Sequence, residues 1–161
     1  MQKVEHPFPP VVDAHSRILI LGSFPSVASR EEGFFYGHPR NRFWPMLADI
    51  FAEDTPLAIP DKQALLLRHH LALWDVIASC RIEGSADSSI RDAVAVDIRR
   101  VLNAAPIESI LCNGALSGKL YRQYLQPITG IDAIVLPSTS PANAAWTLSR
   151  LKEAWTPHLQ R

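Results

Sequence analysis

Apolar and polar positions along the chain fall into blocks that switch between two periods. Residues 17–22 (Arg17-Ile18-Leu19-Ile20-Leu21-Gly22) form a short apolar run ending in glycine, which predicts a buried strand. A loop carrying Pro25, Gly33, Gly37 and Pro39 follows. Over residues 41–51, Phe43, Trp44, Leu47, Ile50 and Phe51 recur at helical spacing, and Pro45 is tolerated in a first turn. Residues 61–69 predict a second helix, capped by Asp61, with Leu65-Leu66-Leu67 turned to the core. Residues 71–77 read as the second strand, and residues 80–89, polar with Gly84, as a loop. Ile90, Val94, Ile98, Val101 and Leu102 predict an amphipathic helix over residues 90–104. Residues 107–112 give a third strand, residues 115–125 a helix, residues 131–136 a fourth strand and residues 141–159 a closing helix. Trp44, Trp146 and Trp155 are expected in the core.

This alternation of strands and helices predicts an α/β fold: a three-layer α/β/α sandwich around a central four-stranded parallel sheet. Ligands of such folds bind beyond the carboxyl ends of the strands. Those ends carry Ser23 and Phe24, then Asp75, then Asn113, and finally Ser138-Thr139-Ser140-Pro141-Ala142-Asn143. Four polar segments thus converge on one edge.

The 161 residues suit a single domain spanning 1–161, with 1–14 as a loosely packed N-terminal arm. Hydrophobic residues make up 47%, enough for a full core. Sixteen basic and sixteen acidic residues cancel, which argues against a broad electrostatic coat for nucleic acid while leaving room for a local phosphate-binding face. Cys80 and Cys112 are far apart in apolar surroundings and read as reduced core thiols; no spacing suggests a zinc or iron–sulfur site, and no cofactor or metal is expected. Met1-Gln2-Lys3-Val4-Glu5-His6-Pro7 lacks the apolar centre of a leader peptide, and no apolar run approaches the roughly 20 residues that span a bilayer. A soluble, cytoplasmic, monomeric protein with no membrane partner is the expectation.

Three stretches carry the chemistry: Gly22-Ser23-Phe24-Pro25-Ser26, Tyr36-Gly37-His38-Pro39-Arg40-Asn41-Arg42-Phe43-Trp44, and the segment from Ser138 through Asn143. Their order and βα setting resemble the uracil-DNA glycosylase superfamily, and within it the hypoxanthine (deoxyinosine) branch, over residues 17–155. Mismatch-specific uracil glycosylases carry Gly-Ile-Asn-Pro-Gly at the first stretch, and their Asn positions the hydrolytic water; Phe24 stands there in this chain. The second stretch is similar to the Phe-Ala-His-Pro-x-Asn-Arg-Phe-Trp of the same relatives. The resemblance implies that Asn41 is the catalytic residue and that Tyr36 stacks on the flipped base. It implies also that the 138–143 loop enters the DNA minor groove. Asp75 occupies the place where classical uracil glycosylases have a base-reading Asn.

The implied activity is monofunctional excision of deaminated bases from double-stranded DNA in base excision repair, chiefly hypoxanthine, with uracil and xanthine as further substrates, on or near the nucleoid. Ser23, Phe24, Tyr36, Asp75 and Asn113 would bind the base, while His38, Arg40, Arg42 and the 138–143 loop would contact DNA. Such a reaction needs an aromatic face for the base, donors for the charge that develops on it, and a group that holds water. The Asn41 amide oxygen can accept from that water. An amide is a poor base, so departure of the base would lead and water would add late. Lys3, Lys62, Lys119 and Lys152 all lie outside the motifs, and no Schiff base is expected.

The residues alone leave several roles open. Asn41 is equally a helix cap, His38 a loop brace, Arg40 and Arg42 solvated cations, Asp75 a strand-end cap and Asn113-Gly114 a turn. Ser138, Thr139 and Ser140 are equally caps of the last helix. The alternatives are a uracil-specific enzyme or an inactive lesion-binding protein. A nucleotide-binding module is disfavoured by the lack of Gly-x-Gly-x-x-Gly and of a Walker motif.

Overall fold

A computed structural model describes residues 2–160. In chain order the elements are β1 (Gln2–Glu5), β2 (Ile18–Gly22), α1 (Val27–Glu32), α2 (Phe43–Ile50), α3 (Ile59–Arg68), β3 (Leu71–Asp75), β4 (Ile77–Ile82) and β5 (Arg91–Ala95). After these come α4 (Arg99–Leu102), β6 (Ser109–Asn113), α5 (Ala115–Tyr124), α6 (Gln126–Thr129), β7 (Ala133–Leu136) and α7 (Leu148–Leu159).

The central sheet has four parallel strands in the order β3-β2-β6-β7. All five residues of β2 and of β3 are buried. Side chains of successive strand residues point to opposite faces, so unbroken burial means that both faces are covered, and the three-layer α/β/α architecture is present as expected. The chain runs from β2 to β3 on one side, then crosses to β6 on the other. That reversal separates the connections at the carboxyl ends of β2 and β6 and opens a crevice there.

A second sheet was not expected. Strands β1, β4 and β5 pair antiparallel in the order β1-β4-β5. The single strand predicted over residues 71–77 is therefore two, parted at Val76, whose N–H donates to Gly22 O (2.9 Å). Residues 80–89, expected as a loop, begin inside β4 with Cys80 buried. The helix predicted over residues 90–104 is replaced by β5 and the single turn α4. Its apparent helical stripe is undone at Val94, which is 57% exposed, while Asp92 takes a left-handed backbone at φ 53°. Pairing with β4 outweighs the local pattern, as happens where β-branched residues suit either state.

Other boundaries move less. α3 starts two residues earlier than predicted, so Asp61 sits in its first turn rather than capping it. α7 starts at Leu148, after the Thr147 side chain accepts from Arg150 N; residues 141–147 are turns. Trp44 and Trp155 are buried, whereas Trp146 is only half-buried beneath the Arg150 guanidinium (4.1 Å).

Residues 2–14 are not the loose arm that was expected over 1–14. β1 pairs with β4, Phe8 and Val11 are buried, and Val11 exchanges two backbone hydrogen bonds of 2.9 Å with Leu73 at the edge of the central sheet. This covers an edge that would otherwise present unpaired backbone groups. Among the described residues no helix is long and apolar enough to cross a membrane.

Candidate active site

A cleft of about 310 Å³ opens at the carboxyl ends of β2, β3 and β6. That lies at the small end of ligand pockets, which run from ~300 to ~1,000 Å³. Gly22, Ser23 and Phe24 line it from the end of β2, Asp75 from β3 and Asn113 from β6. Tyr36, His38 and Asn41 enter from the segment between α1 and α2, and Ser138, Thr139, Ser140, Pro141 and Ala142 from the segment before α7. Ser85 and Asp87 approach from the β4–β5 connection.

Gly22, Asp75 and Tyr36 form the tightest corner. Asp75 is 3% exposed. A Cβ at position 22 would lie 2.3 Å from Asp75 Oδ1 and 2.9 Å from the Tyr36 hydroxyl, so the corner closes only around glycine. Tyr36 has a left-handed backbone at φ 55°, which is uncommon for a bulky residue and often marks a functional constraint. One part of its ring packs on Phe43 (centroids 4.3 Å apart). Its hydroxyl is buried without a hydrogen-bond partner. Burial, and after it the charge of Asp75, hold this phenol far above its ordinary range, so it stays an O–H donor. The resemblance implied stacking by this residue; the structure adds an unused donor beside a carboxylate.

Asn41 is fixed by its own amide oxygen. Oδ1 accepts from the Phe43 backbone N–H (2.9 Å) at the start of α2 and from the Thr139 hydroxyl (2.9 Å). Thr139 Oγ1 in turn accepts from Asn113 Nδ2 (3.0 Å), and Thr139 N–H donates to Asn113 Oδ1 (3.0 Å). Thr139 is fully buried. The expectation that Asn41 Oδ1 holds water is corrected here: both lone pairs already have donors. The group left for the cleft is Nδ2, whose N–H bonds can orient a water or a substrate oxygen but cannot deprotonate it. Asn113 is likewise more cross-link than free donor. It ties β6 to the 138–143 loop, and Gly114 after it, at φ 99°, lies where a Cβ would come within 3.2 Å of Ser138 Cβ.

Arg42 is not a free phosphate ligand. Its guanidinium donates to the carbonyl oxygens of Ser140 (2.7 Å), Asn143 (3.2 Å) and Trp146, with a longer contact to Thr139 O (3.4 Å). Its role is to clamp the loop. Asn143 faces inward too, donating to Ser138 O (3.0 Å), and it does not line the cleft. His38 lines the cleft while its Nδ1 accepts from Arg40 N–H (3.1 Å), so the brace and the lining role coexist. Arg40 is exposed on the same segment.

Among the residues of the site that escaped sequence reading are His6 and Asp87. His6 reaches the site from the end of β1, with Nε2 2.8 Å from Asp75 Oδ2. Asp87 stands at the rim, where crowding by the cleft walls, and then the charge of Asp75, raise its carboxyl above the usual range; solvent still reaches the residue and limits the effect. No local motif marks either one, since each arrives through the unexpected second sheet. Among the described residues no three His, Cys, Asp or Glu side chains gather as a metal-binding group, and no lysine lines the cleft.

An α/β/α sheet with a small cleft at its point of reversal, lined by aromatic rings, amides and one buried carboxylate, places the chain among α/β proteins whose ligands bind beyond the carboxyl ends of the strands. The sequence pattern of the Uracil DNA glycosylase superfamily matches residues 9–160, and the chain belongs to that superfamily. It is 35% identical to a hypoxanthine DNA glycosylase of Methanosarcina barkeri over 96% of this chain and 97% of that protein. It is 34% identical to one of Methanosarcina acetivorans over 93% and 95%. A solution NMR structure of a candidate uracil DNA glycosylase from Methanosarcina acetivorans superposes with a TM-score of 0.81 at 32% identity, covering 99% of this chain and all of the other.

Proposed function

We propose that this protein is a monofunctional DNA glycosylase that releases hypoxanthine from deoxyinosine in double-stranded DNA. The observation that carries the reading is the pairing of an unused Tyr36 hydroxyl with the buried Asp75 carboxylate on the wall of the cleft. Hypoxanthine presents a carbonyl O6 beside an N1–H. A hydroxyl donor and a carboxylate acceptor complement that edge. Adenine presents an amino group beside a bare N1, the reverse pattern, and would set the buried carboxylate against a lone pair and leave the hydroxyl hydrogen without an acceptor. Guanine shares the hypoxanthine edge but adds a C2 amino group, so its sparing rests on its stronger base pair and on space in the cleft.

The chemistry then follows from the groups present. The target base must leave the stack to reach the cleft. Departure of the base generates a cationic sugar and an anionic base, and fixed N–H and O–H donors stabilise the charge as it forms. Asn41 Nδ2 orients the water that adds late. Arg40 and the 138–142 segment face the DNA, the segment held rigid by Arg42. Uracil carries a similar carbonyl and N–H edge and is a weaker substrate on this reading, with xanthine beside it.

The test is incubation with duplexes that each carry one deoxyinosine, uracil, xanthine or ethenoadenine, followed by alkaline cleavage. Release of hypoxanthine ahead of the others, without strand breakage before alkali, is the expected result. Release of uracil alone would replace this reading with the uracil-specific one. Tight binding without release from any duplex would make the protein a lesion binder.

A further inference from the structure

We infer that His6 is a positioning residue for base selection: its imidazole grips one oxygen of Asp75 and aims the other at the base. The inference rests on the proposed role of Asp75 in reading the base.

The two side chains are 5% and 4% exposed, and His6 Nε2 lies 2.8 Å from Asp75 Oδ2. The Phe8 N–H points at His6 Nδ1 (3.5 Å), which leaves Nε2 as the nitrogen that donates to Asp75. The ring cannot swing away. It stands edge-on to Phe8 (4.6 Å) and Phe24 (6.1 Å) and is tilted against Phe35 (5.8 Å). Its backbone N–H donates to Ala78 O (2.8 Å), which continues the β1–β4 pairing past Glu5. The other oxygen of Asp75, Oδ1, abuts the Cα of Gly22, where even a methyl group has no room.

A carboxylate with a single tether rotates about its Cβ–Cγ bond, and here it would meet the unpaired Tyr36 hydroxyl beside it. That pairing would occupy the donor and the acceptor at once and leave nothing for a base. Held by His6 on one side and Gly22 on the other, the carboxylate keeps a fixed plane. His6 thereby preserves the donor–acceptor pattern that distinguishes hypoxanthine from adenine. The N-terminal segment is part of the recognition machinery, although it touches no base itself.

The test is a double-mutant cycle read in single-turnover release from deoxyinosine and deoxyuridine duplexes, using His6→Ala, His6→Gln, Asp75→Asn and the doubles. A hydrogen bond to a charged group is worth roughly 10–100-fold, and His6→Ala is expected to lose that much on deoxyinosine and on deoxyuridine alike, since both bases present a carbonyl beside an N–H. His6→Gln, whose amide N–H can replace the Nε2–H, should recover most of the loss. In the Asp75→Asn background, His6→Ala should add little, because the residue acts through Asp75. If His6→Ala opens the aromatic cluster and unfolds, the His6→Gln comparison carries the result. Unchanged release by His6→Ala, additive losses in the double mutant, or a His6→Gln variant with no better release than His6→Ala would overturn the inference. An Asp75→Asn protein with unchanged release and selectivity would instead remove the base-reading role of Asp75, and the positioning role with it.

Discussion

The Thr139 hydroxyl donates to Asn41 Oδ1 across 2.9 Å, and so closes two segments 98 residues apart in sequence onto one another. The hydroxyl also accepts from Asn113, so three strand ends and loops share one buried hydrogen-bond chain. Removing the middle of such a chain strands both ends. Thr139→Val keeps the shape and deletes the link. It should cost about 1–3 kcal/mol of stability, the scale of leaving a buried polar group unpaired, and should lower base release as well. Thermal melts alongside single-turnover assays measure both effects; a variant as stable and as active as the parent would show that the chain contributes nothing.

Asn41 serves two purposes, and two substitutions separate them. Asn41→Ala removes both the cap and the Nδ2 donor; it should lose roughly two to four orders of magnitude in release, the range of one preorganised polar contact. Asn41→Asp retains the acceptor for Phe43 N–H and the Thr139 hydroxyl but has no amide donor. We expect it to melt near the parent and to be as slow as Asn41→Ala. Near-parent activity in Asn41→Ala would assign Asn41 to capping alone, whereas near-parent activity in Asn41→Asp would mean that a carboxylate holds the water in place of the amide.

The two arginines of the second motif should part company. Arg42 holds the 138–146 segment through backbone carbonyls, so Arg42→Ala should destabilise by about 1–3 kcal/mol and leave the salt dependence of DNA binding almost unchanged. Arg40 is exposed, and Arg40→Ala should reduce the slope of log affinity against log salt by about one unit at most, on every sequence alike. Binding titrations at several salt concentrations decide it; the opposite assignment of the two effects would place the phosphate contact at Arg42.

Gly22→Ala should disable the site with limited effect on the fold. The added methyl would press on Asp75 Oδ1 and the Tyr36 hydroxyl together. Overpacking of this kind costs about 1–3 kcal/mol, but the displaced carboxylate and phenol no longer match the base. Parallel loss of release from deoxyinosine and deoxyuridine duplexes, since both bases present a carbonyl beside an N–H, is the expected signature in matched single-turnover assays.

Cys112 tests the core chemically. An unfolded thiol ionises near 9.0, and burial pushes Cys112 up to about 11. The buried neutral thiol thus contributes stability that is fully present below pH 9 and is lost as pH rises toward 11. Burial raises Tyr36 and Tyr121 as well, in the same direction. The melting temperature should fall steadily over that interval, and a thiol-specific reagent at pH 8 should label Cys112 only after denaturant is added. Rapid labelling of the native protein would show that the β6 core is open.

Local pattern sufficed wherever burial on both faces left one solution. Residues 18–22 are apolar without interruption, and β2 lies where they predict it, at the centre of the parallel sheet. Phe43, Trp44, Leu47 and Ile50 repeat at helical spacing and form α2. The motifs placed Ser23, Phe24, Tyr36, Asn41, Asp75, Asn113 and the 138–142 segment on one edge, and all of them line the cleft. The pattern misled at Val94, where spacing fits a helix as well as a strand and only the partner strand β4 chooses between them.

What the sequence by itself determined is the α/β class, the parallel core and the set of side chains at its carboxyl edge, because strand burial, turn chemistry and motif order are local properties. Tertiary structure alone decided how those side chains are used. It turned Arg42 inward to the loop carbonyls, occupied both lone pairs of Asn41 and left the Tyr36 hydroxyl unpaired. It also brought His6 across 69 positions to Asp75. Hydrogen-bond partners and the room around a glycine depend on distances between segments remote in the chain, and no spacing along a sequence encodes those distances.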